Sequence, residues 1–123
     1  MSKLAVAFDL PQTEPVETEL PGNPLATELA AQMAGLGISV SDVDMHEGYG
    51  WAWFATREGA THYIVLAPFR DGEPGLWLLR FEPQFGLVAR FKAARYRAAE
   101  AKLKEIIDRL LRATSGVTNV EWE

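Results

Sequence analysis

The chain has 123 residues, 48% of them hydrophobic and 24% charged, a balance that suits one globular domain over residues 1–123 and excludes disorder as the general state. It has no cysteine, so disulfide frameworks, thiolate metal sites and cysteine nucleophiles are excluded. The net charge of −5 removes the usual electrostatic reason to propose nucleic acid as a partner.

The first predicted element is a strand over Lys3–Leu10. Leu4, Val6, Phe8 and Leu10 alternate with Ala5, Ala7 and Asp9, and Pro11 ends the run. The apolar run at the N-terminus is short for a signal sequence, and no stretch is apolar enough to span a membrane, which sets the expectation of a cytoplasmic protein. Residues Pro11–Gly22 resemble a linker but are too few to separate domains.

Asn23 and Pro24 then suit the cap and first position of a helix over Pro24–Ala34, and Gly35 and Gly37 supply its stop. Leu25, Leu29, Met33 and Leu36 form its apolar stripe. Ile38–Met45 reads as one extended segment. Three strands follow at Tyr49–Thr56, Thr61–Ala67 and Leu76–Phe81, joined by short loops into an antiparallel meander. A long helix covers Val88–Ala113, with Glu100/Lys104, Glu105/Arg109 and Asp108/Arg112 as i,i+4 pairs. Val117–Trp122 is the last strand. The predicted order is β-α-β-β-β-β-α-β: an α+β fold with a mainly antiparallel sheet and both helices on one face.

Charge is unevenly placed. Residues 1–47 carry eight acids and one base, −7, while Arg90–Arg112 carry eight bases and three acids, +5. Arg90, Lys92, Arg95 and Arg97 precede most of the pairing acids in that helix.

The sharpest local cluster is Asp42, Asp44 and His46, followed by Glu47. In one unbroken strand the first three share a face, where two carboxylates and an imidazole could hold a divalent ion. The plainer reading is a solvated strand edge, and no metal site is assigned. His62 shares a predicted face with Ile64 and Leu66 and reads as a partly buried structural residue. No nucleophile elbow, phosphate loop or zinc-binding helix motif occurs, so no catalytic residue and no cofactor is assigned.

The aromatic content says more. Tyr49, Trp51, Trp53 and Phe54 lie within six residues, with Tyr63 and Trp77 on neighbouring strands. Two helices cover one sheet face, so either the Trp51/Trp53 face or the Ala52/Phe54 face needs another cover. That cover is the chain's own Pro11–Gly22 segment, a second copy, or a partner.

Leu20-Pro21-Gly22-Asn23-Pro24, Gly37-Ile38-Ser39-Val40 and Glu47-Gly48-Tyr49-Gly50-Trp51 together resemble a loose group of small uncharacterised bacterial proteins over about residues 20–54. The resemblance implies a capped helix leading to an acidic turn before Gly-Trp. It implies no activity, so no residue inherits a role from it.

The expectation is a non-catalytic protein-binding module, an acidic immunity or inhibitor-type protein that meets a toxin-like or effector-like partner. Its proposed contact residues are Asp42, Asp44, His46, Glu47, Tyr49, Trp51 and Trp53, with Tyr49 and Trp51 as anchors and the acids steering. The alternatives are a small-molecule-binding or enzymatic domain with an aromatic pocket, and a homodimer through the aromatic face. Neither a membrane nor nucleic acid is the expected partner.

Overall fold

Alternation along the strands and one apolar stripe per helix build a single layered structure. The computed structural model describes residues 4–10, 23–46, 50–68, 75–84 and 93–123. Its strands are β1 (Leu4–Asp9), β2 (Ser39–Val40), β3 (Asp44–His46), β4 (Gly50–Arg57), β5 (Ala60–Pro68), β6 (Leu76–Pro83) and β7 (Thr118–Trp122). Its helices are α1 (Asn23–Gly35) and α2 (Ala93–Ala113). The predicted first turn of the long helix, Val88–Lys92, lies outside the described residues, as does Pro11–Gly22.

All seven strands form one antiparallel sheet in the order β2-β4-β5-β6-β1-β7, with β3 also on β4. The α+β fold read from the sequence is the observed one. The meander β4-β5-β6 is local. Glu58 (φ 52°) and Gly59 (φ 80°) join β4 to β5 in a two-residue turn whose paired positive angles match the twist of a hairpin. β1 is not local: it sits between β6 and β7, with Val6 opposite both Leu79 and Trp122.

Both helices cover the same sheet face. Ala26, Leu29 and Met33 of α1 and Leu103, Ile107 and Leu111 of α2 share one core with Val6, Phe8, Trp53, Ile64, Leu66 and Leu79. These strand residues are the alternate, inward set. Near β7, Trp122 closes the core's edge. Its ring meets Phe81 edge-on at 6.1 Å, and its Nε1 donates to Asp108 Oδ1 at 2.9 Å. Lys104 places its ammonium 5.1 Å from the Trp122 ring centroid, a cation–π contact. Burial works to raise the Asp108 carboxyl, but hydrogen bonds from Trp122 and Arg112 and the charges of Arg112 and Lys104 outweigh it. The group is held below the ordinary carboxylate value.

Helix α1 ends in a Schellman motif. Gly37 N donates to Ala34 O at 3.1 Å and Ile38 N to Met33 O at 3.2 Å, with Gly37 at φ 85°. Met33 and Ile38 are both buried, completing the apolar contact of the motif. Leu36, the last predicted member of the stripe, is 56% exposed, because the chain has already left the helix there. A Cβ at Gly37 would meet nothing within 4 Å, so Gly37→Ala isolates the backbone cost. It should lower stability by about 1 kcal/mol in thermal or urea unfolding. A neutral result would mean that the motif relaxes.

The segment predicted as one strand over Ile38–Met45 is two strands. Ser39 and Val40 pair with Thr56 and Ala55, whereas Asp44, Met45 and His46 pair with Ala52, Trp51 and Gly50. Three residues, Ser41–Val43, therefore face two on β4, the signature of a bulge. Ser41 fills the gap. Its Oγ accepts from Phe54 N at 2.8 Å, and its own N donates to Phe54 O at 2.9 Å.

Candidate functional site

The sheet face opposite the helices carries no described helix, and a set of aromatic groups gathers on it. Gly50, Ala52, Phe54 and Thr56 of β4 point to this side, as do Tyr63, Val65 and Ala67 of β5. Phe54 and Tyr63 are direct cross-strand partners, with ring centroids 4.9 Å apart. His46, on β3, places its Nδ1 2.8 Å from the Tyr63 hydroxyl, with ring centroids 5.5 Å apart. The nearest open-face residues of β4 are Gly50 and Ala52, which add no bulk between the two rings. Phe54 stays 43% exposed, held on β4, which is paired on both sides.

The predicted contact residues divide accordingly. Asp44 and His46 stand on the open face, opposite Ala52 and Gly50. Asp42 is exposed within the bulge. The extra residue there breaks the period of two, so the alternation that would align Asp42 with Asp44 and His46 does not run through. Val40 and Val43, three apart, both pack on the core. Among the described residues, no three His, Asp or Glu side chains come together as a metal site. Trp53 is 1% exposed and belongs to the core between the sheet and the helices, so it cannot contact a partner. Trp51 is half-buried and packs against the same core. Of the two aromatic faces considered from sequence, the helices therefore hide the tryptophan face and leave the Phe54 face open. Glu47 and Tyr49 lie outside the described residues.

Among the described residues, two depressions lie on the open face. One, of about 270 Å³ and open to solvent, is lined by Ala5, Ala7, Leu78, Glu121, Trp122 and Glu123. The other, of about 10 Å³, is lined by Tyr63, Val65, Arg80, Phe81 and Glu82. The smaller is the size of one water. Tyr63 and Phe54 belong to the predicted aromatic cluster but not to the predicted contacts. Alternation along Leu76–Glu82 sets Arg80 and Glu82 on this face, against Trp77, Leu79 and Phe81, and Glu121 stands on it from β7.

His62 points the other way, under α2. It is 2% exposed, its Nε2 has no hydrogen-bond partner, and Glu100 Oε2 lies 4.0 Å away. Phe81 and Tyr96 wall the ring at centroid distances of 5.9 and 6.1 Å. Burial holds its pKa below the ordinary histidine value. The folded chain therefore keeps His62 neutral where the unfolded chain protonates it. Stability should fall as pH drops through about 6.5 toward the lower folded value, by at most about 1.4 kcal/mol per pH unit for one proton. His62→Phe should flatten the stability profile between about pH 7.5 and 5. Equal slopes for the two proteins would assign the acid sensitivity to other groups.

Among the described residues, no helix is long and apolar enough to cross a membrane. Comparison with known protein families, curated proteins and solved structures gives no match.

Proposed function

We propose that this protein is a non-catalytic protein-binding module, an immunity or inhibitor-type protein that engages a toxin-like or effector-like partner in the bacterial cytoplasm. The observation that carries this reading is the aromatic pair on the sheet face that carries no helix among the described residues, with Phe54 43% exposed beside Tyr63 and His46. An aromatic pair fixed on strands paired on both sides loses little freedom on binding, and tyrosine is a common binding anchor. The depressions on this face favour a protein over a small molecule. Ligand sites usually enclose most of their ligand in about 300–1,000 Å³, and here the larger hollow is open and the smaller has room for one water only. Asp44 and His46 keep their predicted role at the margin, while Phe54 and Tyr63 replace Trp53 as contact residues.

The test uses the tagged full chain in its native host. A captured protein is purified, recombined with the pure chain, and its footprint mapped by amide hydrogen exchange. Protection of β3, β4 and β5 is the expected result. Protection confined to α2, or a strong thermal shift from a metabolite with no protein recovered, would overturn the proposal.

A further inference from the structure

We infer that the partner of the open face is a cationic protein, whose lysines or arginines meet an acidic rim while an apolar group covers the Phe54–Tyr63 centre. This rests on the protein-binding reading above and adds the chemistry of the partner.

Strand alternation sorts the charges by side. Asp9 shares its side of β1 with Ala5 and Ala7 and already accepts from Asn119 Nδ2 at 2.6 Å, and Asp44 faces out from β3 opposite Ala52. Glu82 lies opposite Tyr63, and Glu121 and Glu123 flank the larger hollow. Against these five carboxylates, Arg80 is the one base on this face among the described residues. Asp44, Glu121 and Glu123 stand at the margins, whereas Glu82 stands beside Tyr63 on the inner strand β6. Asp44 is on one outer strand and Glu121 on the other, with Ala52, Val65 and the two aromatic rings between them. The interior of the face holds the two rings, Ala52 and Val65, each 4% exposed, and Arg80 between Val65 and Ala5, while the acids outnumber that single base five to one, so the face as a whole is negative.

The helix side carries the opposite sign. Arg97, Lys102, Lys104, Arg109 and Arg112 lie on α2. Much of that charge is already engaged: Arg109 meets Glu105 at 3.3 Å, Lys102 meets Glu105 at 3.7 Å, and Arg112 meets Asp108 at 2.9 Å. A second copy is therefore a poorer occupant in either orientation. Face-to-face pairing would set two acidic rims against each other. Head-to-tail pairing would offer a helix whose bases are largely paired. Nucleic acid and anionic membranes are repelled by the same rim. A cationic protein is drawn to it and steered into register.

The probe is an acetylated heptapeptide of alternating lysine and leucine, with its glutamate–leucine counterpart as control. Each is titrated into the isotope-labelled full chain while backbone amide shifts are followed. The lysine peptide should move amides of β1, β4, β5 and β6, leave α2 still, and lose affinity between about 0.02 M and 0.3 M salt. The glutamate peptide should move nothing. Reversing the rim in the triple variant Asp44→Lys/Glu82→Lys/Glu121→Lys should weaken the lysine peptide at least about tenfold. Circular dichroism and urea unfolding show whether that variant is folded, and Glu82→Gln with Glu121→Gln, a milder change, should weaken binding in the same direction. Shifts on α2, equal responses to both peptides, or affinity unchanged in the rim variants would overturn the inference. So would sedimentation showing a dimer that Phe54→Glu dissolves. A captured host partner separates the two levels. Should it lose binding with Phe54→Ala yet bind the rim variants normally, the protein-binding reading stands and the cationic partner falls. A footprint that misses the open face removes both.

Discussion

Trp53→Ala should lower the free energy of unfolding by about 3–5 kcal/mol, read as a shift of the urea midpoint at unchanged slope. Against a total stability of about 5–15 kcal/mol for a domain, that loss approaches global unfolding. The cause is position. Trp53 is the largest fully buried side chain and lies opposite Ile64, in the one core that both helices share with the sheet. Removing the indole opens a cavity that two helices and four strands would have to collapse together to fill. The indole Nε1 has no hydrogen-bond partner, so Trp53→Phe deletes a buried polar group along with some volume and should cost clearly less than alanine. Phe54→Ala, one residue on, should cost under about 1 kcal/mol, since its ring is on the open face. Equal losses at Trp53 and Phe54 would contradict the assignment of faces.

The same contrast reverses for binding. Phe54→Ala and Tyr63→Ala should each weaken a purified partner about thirtyfold, near 2 kcal/mol, with folding intact. The two rings touch, so the double variant should lose less than the sum of the two. Tyr63→Phe removes only the hydroxyl that meets His46 at 2.8 Å and should cost less than the alanine change. Calorimetry on the partner measures all four variants. Binding within about threefold of the parent in both single alanine variants would move the contact off this face.

Much of the architecture was legible because side-chain period carries it. The alternation in Lys3–Leu10 and Thr61–Ala67 gave β1 and β5 nearly to the residue. Asn23-Pro24 and Gly37 gave both ends of α1, since capping chemistry is local. The bulge at Ser41–Val43 was hidden. Its signal is not in the residues themselves but in their count against a partner strand, which pairing alone reveals. The candidate site was half legible for a related reason. Sequence showed that two aromatic faces competed for one cover. Which one the helices took depended on how α1 and α2 docked. The tryptophans won the covered side, and the contact role passed to their strand neighbours Phe54 and Tyr63.

The place of β1 carries a consequence for how the chain is made. Its two neighbours, β6 and β7, come from residues 76–83 and 118–122. During synthesis β1 leaves the ribosome before either of them exists, and Val6 and Phe8 have no strand to pair with until Leu76–Pro83 emerges. The other side of β1 waits for Thr118–Trp122, after all of α2. Such long-range closure slows folding. It also leaves an unpaired apolar strand while the residues between β1 and β6 are made, the kind of exposed segment that chaperones hold. Production in cells short of chaperone capacity should therefore strain this protein at β1, well before any limit set by the stability of the finished fold.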